Sequence, residues 1–478
     1  MKRFFISVLA ITILGAVASS CKDYMEFPPE GQVPQVLNYQ NANDAEAGMV
    51  SMYAYLRSWD IAGGMNYLTL SELTSDNIIK GSAPGDGSWA NAYNIYQFTK
   101  DEGQLRSFWR GRYQAIGFSN QIITKVPSIA MDQGVKDRYI AEAKFLRAYH
   151  YFNLVRAFGG VPIVDHVPVG PEGNIRRSAE ETWDFIEKDL NESIAVLPDA
   201  VPSAELGRAT KWAAKFLLAK TYLYREKWSQ CKSLTDEFIA SGKFSLYPNF
   251  YKLFRPEQEF CSESIFEIVS THISGNDRLS NCQYSEIQGV RGQYGWGWYV
   301  PSDNLAAAFD AAGDVVRKKA TILYRGDVTP DGDEIKGIEI MDGTSIPRYS
   351  GKAYVPSRFP SQYSGRDQNI RIMRFAEVLL MNAEAAIHTS SDAATSLNKV
   401  RTRVSLPAIS NPTLQQIWNE RRLELACEQD RFWDLVRTGQ AASALATQGF
   451  SAGKNKLFPI PQEEVNLSAG QLSQNPGW

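Results

Sequence analysis

The chain has 478 residues, 44% of them hydrophobic, which is enough apolar surface for a large buried core. Its 50 basic and 53 acidic residues leave a formal charge of -3 and are interleaved without a basic block, which excludes the clustered Lys and Arg that a nucleic-acid partner requires. Beyond the N-terminus no stretch approaches the roughly 18 apolar residues of a membrane helix.

The first element is a leader. Lys2 and Arg3 precede a short apolar run from Phe4 to Val17, and Ala18, Ser19 and Ser20 supply the small residues of a cleavage site, so residues 1–20 are predicted to be a signal peptide. Cys21 follows directly and is the predicted lipidation site. Several acyl chains on one residue anchor firmly, because each buried methylene contributes about 0.8 kcal/mol. Lys22 to Gln35 holds three prolines and little helical periodicity, so residues 21–42 are predicted to be an extended spacer.

From Asn43 the pattern turns helical, and residues 43–237 are predicted to form an N-terminal helical region. Ala141, Phe145, Ala148, Phe152 and Val155 make one stripe over Arg138 to Phe158, ended by Gly159-Gly160 and Pro162. Further helices are predicted over Thr210 to Tyr224, Ile372 to Ala386, Leu397 to Val404 and Leu414 to Val436. Alanines at close-packing points with large aromatics between them suggest degenerate tetratricopeptide-like helix pairs. The fold class is therefore mainly α, with an irregular loop-rich subdomain inserted at residues 238–369 and a C-terminal helical region and tail at 370–478. The insert carries a strand-like fragment at Ser264 to Val269 and the turn-rich stretches Gly289 to Gly297 and Asp327 to Asp333. Trp109, Tyr149, Tyr151, Phe152, Trp212 and Trp433 fall within helical patterns and are predicted to be core.

Several patterns that suggest chemistry fail on context. Gly449-Phe450-Ser451-Ala452-Gly453 matches a nucleophile elbow, but Pro459 and Pro461 forbid the helix that must follow, and His150, His166, His272 and His388 all precede the serine. Those four scattered histidines make no metal motif, and the Asp327, Asp331 and Asp333 turn misses calcium-loop spacing, so it is read as a solvated turn and no cofactor is expected. In the charged run from Glu420 to Arg437, Glu428 with Arg431 and Asp434 with Arg437 lie three apart on the predicted helix and are expected to pair with each other. Cys261 and Cys282 are the only cysteines close enough in sequence to consider as a disulfide, and that pairing stays open.

The aromatic loops carry the functional expectation. Tyr294, Trp296, Trp298 and Tyr299 alternate with Gly295 and Gly297, and Trp89, Asn91 and Tyr93 form a second cluster preceded by Ser75, Asp76 and Asn77. Sugars present apolar C–H faces that stack on indoles, while their hydroxyls need polar neighbours, so these residues are the candidate ligand-binding set.

Seven segments in order resemble the SusD/RagB outer-membrane lipoproteins of the Bacteroidetes: CKDYMEFPP, AEAKFLRAYHYFNLVRAFGGVPIV, RATKWAAKFLLAKTYLY, RIMRFAEVLLMNAEAA, LNKVRTRV, NERRLELACEQDRFWDLVR and the closing LFPIPQEEVNLSAGQLSQNPGW. Cys427, Gln429-Asp430 and Trp478 depart from the family's usual Phe, Gly-His and Tyr. The resemblance implies a lipid-anchored protein on the outer face of the outer membrane that captures oligosaccharides and caps a SusC-like TonB-dependent transporter, with no catalysis. Asp23 and Glu26 are similar to that phylum's surface-export signal, and the family draws its glycan-binding aromatics from comparable loop regions. Two rival readings remain: a peptide-importing lipoprotein of the RagB type, and a surface glycoside hydrolase with two carboxylates about 5 to 10 Å apart.

Overall fold

The computed structural model describes residues 39–168, 175–270, 282–293, 295–338, 341–359 and 366–478. Cys21, Asp23, Glu26, His272 and Tyr294 lie outside the described residues, as do the predicted leader and most of the predicted spacer.

Local signals set most helix ends. Helix α1, Ala42–Leu56, starts at a capping box in which the Asn41 side chain accepts from the Asn43 and Asp44 amides and Asp44 reaches back. Helices α2, Gly103–Lys125, and α3, Gln133–Phe158, follow. Gly159 ends α3 at φ 72, a conformation that glycine adopts without a Cβ penalty. Next come α4, Ala179–Val196, behind a Ser178/Glu181 capping box, then α5, Lys211–Tyr224, and α6, Trp228–Ser241. The scaffold closes with α7, Phe375–His388, α8, Ala394–Arg403, α9, Leu414–Glu424, and α10, Arg431–Arg437. Each helix from α2 to α6 packs on the next, and α7 packs on α6, α8 and α9, so the scaffold is a tetratricopeptide-like stack of helix pairs.

Strands join the loop-rich part to this stack. They are β1, Ile78–Gly81, β2, Ser264–Ile268, β3, Trp298–Pro301, β4, Ile322–Tyr324, β5, Arg348–Ser350, and β6, Ile370–Arg374. They form three antiparallel pairs, β1 with β3, β2 with β6 and β4 with β5. A small apolar cluster of Val290, Val300, Leu323, Ile335, Met341, Tyr349 and Tyr354 lies under Ile79, separate from the main core.

The structure corrects two helix boundaries. The segment expected to be helical from Ile372 begins as β6, whose register with β2 holds Ile370 to Arg374 extended before α7 starts. The helix expected over Leu414 to Val436 breaks between α9 and α10, where Cys427 (φ 63) and Gln429 (φ 70) are left-handed and cannot continue a right-handed helix.

That break redirects the charged run. Asp434 pairs with Arg437 at 2.7 Å as expected, but Glu428 takes hydrogen bonds from Lys352 and Arg374, each at 2.6 Å, and Arg431 pairs with Asp76 at 2.7 Å. The run belongs to a buried ionic network. Asp430 accepts from Arg156 at 2.7 Å and Lys220 at 2.8 Å, and Arg421 bridges Glu377 and Asp434 at 3.1 Å each. Glu424, fully buried, meets Arg317 and Arg374 at 3.1 Å each and Arg403. Helix α3, expected to bury one stripe, is enclosed nearly all round from Tyr139 onward, and its Arg147 grips Asp189 of α4 with two hydrogen bonds of 2.8 Å.

Glu72 lies in a π-turn, Thr69–Leu73, fully buried; its Oε1 accepts from the Asp430 amide at 3.1 Å while Oε2 has no partner. Burial pushes its carboxyl up to about 8, against backbone hydrogen bonds that favour the ionised form. The folded chain therefore holds a proton that the unfolded chain releases near the ordinary pKa of about 4.3, and this group's contribution to stability falls as pH rises from there to about 8. Glu72→Gln should raise the melting temperature more at pH 9 than at pH 5. Thermal unfolding at both pH values checks this, and equal shifts would contradict it.

The core predictions for Trp109, Tyr149, Tyr151, Phe152, Trp212 and Trp433 hold, each being buried. Cys261 and Cys282 carry free thiols. The Asp327–Asp333 turn is largely solvent-exposed, as expected, with two of its carboxylates also paired: Asp331 accepts from Tyr251 at 2.7 Å and Arg358 at 2.5 Å, and Asp333 accepts from the Ser357 amide at 2.8 Å. Before Gly449 lies a 3-10 turn, Ala446–Gln448, instead of the strand an elbow needs. Among the described residues no helix is long and apolar enough to cross a membrane.

Candidate functional site

Pairing of β1 with β3, in the register Gly81 to Trp298 and Ile79 to Val300, brings together the two aromatic clusters that the sequence separates by more than two hundred positions. The Trp89 indole, on the short helix Trp89–Asn94, stacks on Trp298 with centroids 6.1 Å apart and planes 15° apart. Gly87 makes this approach possible: its φ is 48, and a Cβ there would lie 2.4 Å from the Trp298 ring. Both indoles are half-buried, so each keeps part of its surface open to solvent.

Polar groups border the indole pair. The Lys80 ammonium lies 5.3 Å from the Trp298 ring centroid and donates to Asp342 Oδ2 at 2.9 Å. Exposed Asn91 donates to the same oxygen at 3.3 Å. Burial alone would raise the Asp342 carboxyl, but hydrogen bonds from Lys80 and Asn91 outweigh it and hold the group below its usual value. The edge of the platform is thus a fixed anion beside an exposed amide, able to accept from and donate to hydroxyl groups, while Lys80 is buried and spends its three N–H bonds on the Gly81 and Ala83 carbonyls and Asp342.

Trp296 serves the neighbouring cleft. Its ring lies 6.4 Å from that of Trp59, tilted by 42°, and it lines a cavity of about 650 Å³ with Val290, Gln293, Ile335, Lys336 and Tyr354. Its carbonyl accepts from Arg291 at 3.2 Å and Ser82 at 3.3 Å, and Arg291 pairs with Asp86 at 2.8 Å, which ties the Trp296 backbone to the turn after β1.

Four of the sequence candidates are internal braces. Asp76 pairs with Arg431 at 2.7 Å and Arg422 at 3.2 Å; burial acts against its ionised form, but the Arg431 charge outweighs it and keeps the carboxyl low. Asn77 accepts from Arg422 at 2.8 Å. Tyr93 is fully buried and stacks on Phe98 at 4.7 Å, and Tyr299, also fully buried, shares a 2.8 Å hydrogen bond with Thr69. Asp76 and Asn77 were placed in the ligand set because they lie in a polar loop; the arginines of α9 and α10 that occupy them are over three hundred residues away. Trp89, Asn91, Trp296 and Trp298 remain at the surface. Trp59, Lys80 and Asp342 were missed: Trp59 sits beside Gly63 and Gly64 and matches the same aromatic-loop signal, whereas nothing local marks Lys80 or Asp342.

A model of the SusD family matches residues 262–478, and one described as starch-binding associating with outer membrane matches residues 24–223. A solved laminarin binding SusD-like protein is 30% identical, with 92% of this chain and 100% of that chain covered, at a TM-score of 0.79. This chain belongs to the SusD family. Among curated relatives, SusD-like protein P2 from Formosa agariphila is 27% identical over all of both chains. Surface glycan-binding protein A from Bacteroides thetaiotaomicron, solved in complex with laminarihexaose, is 23% identical with a TM-score of 0.78 over 91% of this SusD-family chain and all of its own, and so shares the fold. The helix-pair stack is thus a SusD-family scaffold, and the aromatic platform is carried by the short helix Trp89–Asn94 and strand β3.

Proposed function

We propose that this chain is a lipid-anchored cell-surface protein that binds oligosaccharide and delivers it to a SusC-like TonB-dependent transporter in the outer membrane. The observation that carries this reading is the Trp89–Trp298 stack bordered by Asn91 and Asp342, which pairs apolar ring surface with hydroxyl-binding groups. Support also comes from relatives whose names state laminarin and starch binding. A shallow platform buries limited area and competes with water for sugar hydroxyls, so affinity is modest, which suits release to a transporter. Trp296 and its cleft extend the contact beyond one ring. Catalysis is not part of this reading, since the relatives are named for binding.

The test is a glycan array beside a peptide array, with product analysis of every glycan bound. Saturable glycan binding without turnover is expected; peptide capture alone, or hydrolysis abolished by one Asp or Glu substitution, would replace the reading. Cys21→Ala should leave the membrane fraction and retain glycan affinity but fail to support growth on the glycan, because the tether keeps the binder concentrated at the pore.

A further inference from the structure

The charges around the aromatic platform are divided unevenly between its surface and its interior. Asp342 keeps 29% of its side chain exposed, whereas its countercharge Lys80 keeps 2%. The Lys80 ammonium lies 5.3 Å from the Trp298 ring centroid and 2.9 Å from Asp342 Oδ2, so it fixes that carboxylate beside the ring. A ligand on the indoles therefore meets the negative end of the pair. The other charges nearby do not reverse this sign. Arg291 is matched by the equally exposed Asp86 at 2.8 Å and also donates to Ser82 and the Trp296 carbonyl.

The cleft beside Trp296 carries the same bias. Asp333 and the exposed Glu334 stand on its wall, and of the cations lining it Lys336 is exposed while Arg366 is buried and donates to the Val355 carbonyl. Glu286, also on the wall, is buried. Carboxylate and sulfate groups on a sugar are recognised by cations with free N–H donors, above all by a guanidinium fork. Here Lys80 and Arg366 are buried, Arg291 faces Asp86, and Lys336 stands two residues from Glu334. Uncharged hydroxyls need no cation: they donate to Asp342 and accept from the exposed Asn91 amide.

We infer that the platform selects uncharged glycans and that Asp342 is its specificity-determining residue, opposing chains that carry uronic acids or sulfate. This rests on the platform being a glycan site and adds the class of glycan it takes. A like-charge contact at about 4 Å in water is worth about 1 kcal/mol, a factor of about five in affinity.

The test is calorimetric titration of the full chain with neutral hexasaccharides of glucose, of galactose and of mannose, each beside its counterpart oxidised to the carboxylate at C6. Oxidation leaves the ring faces unchanged and adds one negative charge per unit. In low salt the neutral member of a binding pair should bind at least about fivefold more tightly than its oxidised form, and the ratio should shrink in high salt, where screening weakens the repulsion. Asp342→Asn keeps an acceptor for Lys80 and Asn91 but removes the charge, so the ratio should fall to about twofold or less, whereas Asp342→Glu should retain it. Thermal unfolding checks that both variants are folded, and the ratio in the parent chain decides the matter if they are not. An oxidised form that binds as tightly as its neutral partner, or a ratio unchanged in folded Asp342→Asn, would overturn this inference alone. Binding of no sugar in either form would overturn the platform reading and this inference with it, so the two failures are distinguishable.

Discussion

Replacing Trp298 with alanine should lower glycan affinity by roughly thirtyfold, the loss of about 2 kcal/mol expected of a tryptophan at the centre of a binding surface. The Trp296→Ala/Trp298→Ala double variant should bind no glycan measurably at the platform, because it removes one half of the Trp89–Trp298 stack and the ring that lines the adjoining cleft. Some stability is lost as well, since both rings also pack against the main core. Calorimetric titration and thermal unfolding together separate the two effects: affinity should collapse while the chain stays folded. Tyr93→Phe is the control. Tyr93 is fully buried and its hydroxyl has no hydrogen-bond partner, so the variant should bind as the parent does. A loss of affinity there, or a Trp298→Ala chain that unfolds at room temperature, would mean that these rings serve the fold alone.

Glu424→Ala should cost about 3 to 5 kcal/mol of stability, the penalty for leaving a buried ionic cluster without one partner. Its carboxylate serves three guanidinium groups, those of Arg317, Arg374 and Arg403, all nearly or fully buried. Burial acts against ionisation of Glu424, yet those arginines outweigh it and hold the carboxyl far below its usual range. Asp430 and Asp434 are held low in the same way by Lys220 and Arg156, and by Arg421 and Arg437. Folded values below unfolded ones mean that the three contribute fully above about pH 4.5, and that this stability is lost as pH falls below it. Urea unfolding at pH 7 and pH 4 reads both effects: the parent should lose stability on acidification, and Glu424→Ala should lose less because part of the titrating network is gone.

Where side chains recur at helical spacing, one-dimensional pattern was sufficient. The end of α3 at Gly159 and the start of α5 at Thr210 were legible because caps act over three or four residues. The break between α9 and α10 was not, since Glu420 to Arg437 keeps helical composition across it and only the left-handed Cys427 and Gln429 reveal the interruption. The same holds for the candidate site. Loop aromatics among glycines marked Trp89, Trp296 and Trp298, but Asp76, Asn77, Tyr93 and Tyr299 carry similar local signals and face inward.

The sequence by itself determined the helical class, the family and the aromatic segments, because each is encoded by residues near one another in the chain. Tertiary structure alone decided which aromatics meet and which polar residues are free to meet a ligand. Lys80 finds Asp342 across 262 positions, and Trp89 finds Trp298 only through the β1–β3 register. Such pairings arise from burial and charge neutralisation acting between distant segments, and local propensity carries no record of them.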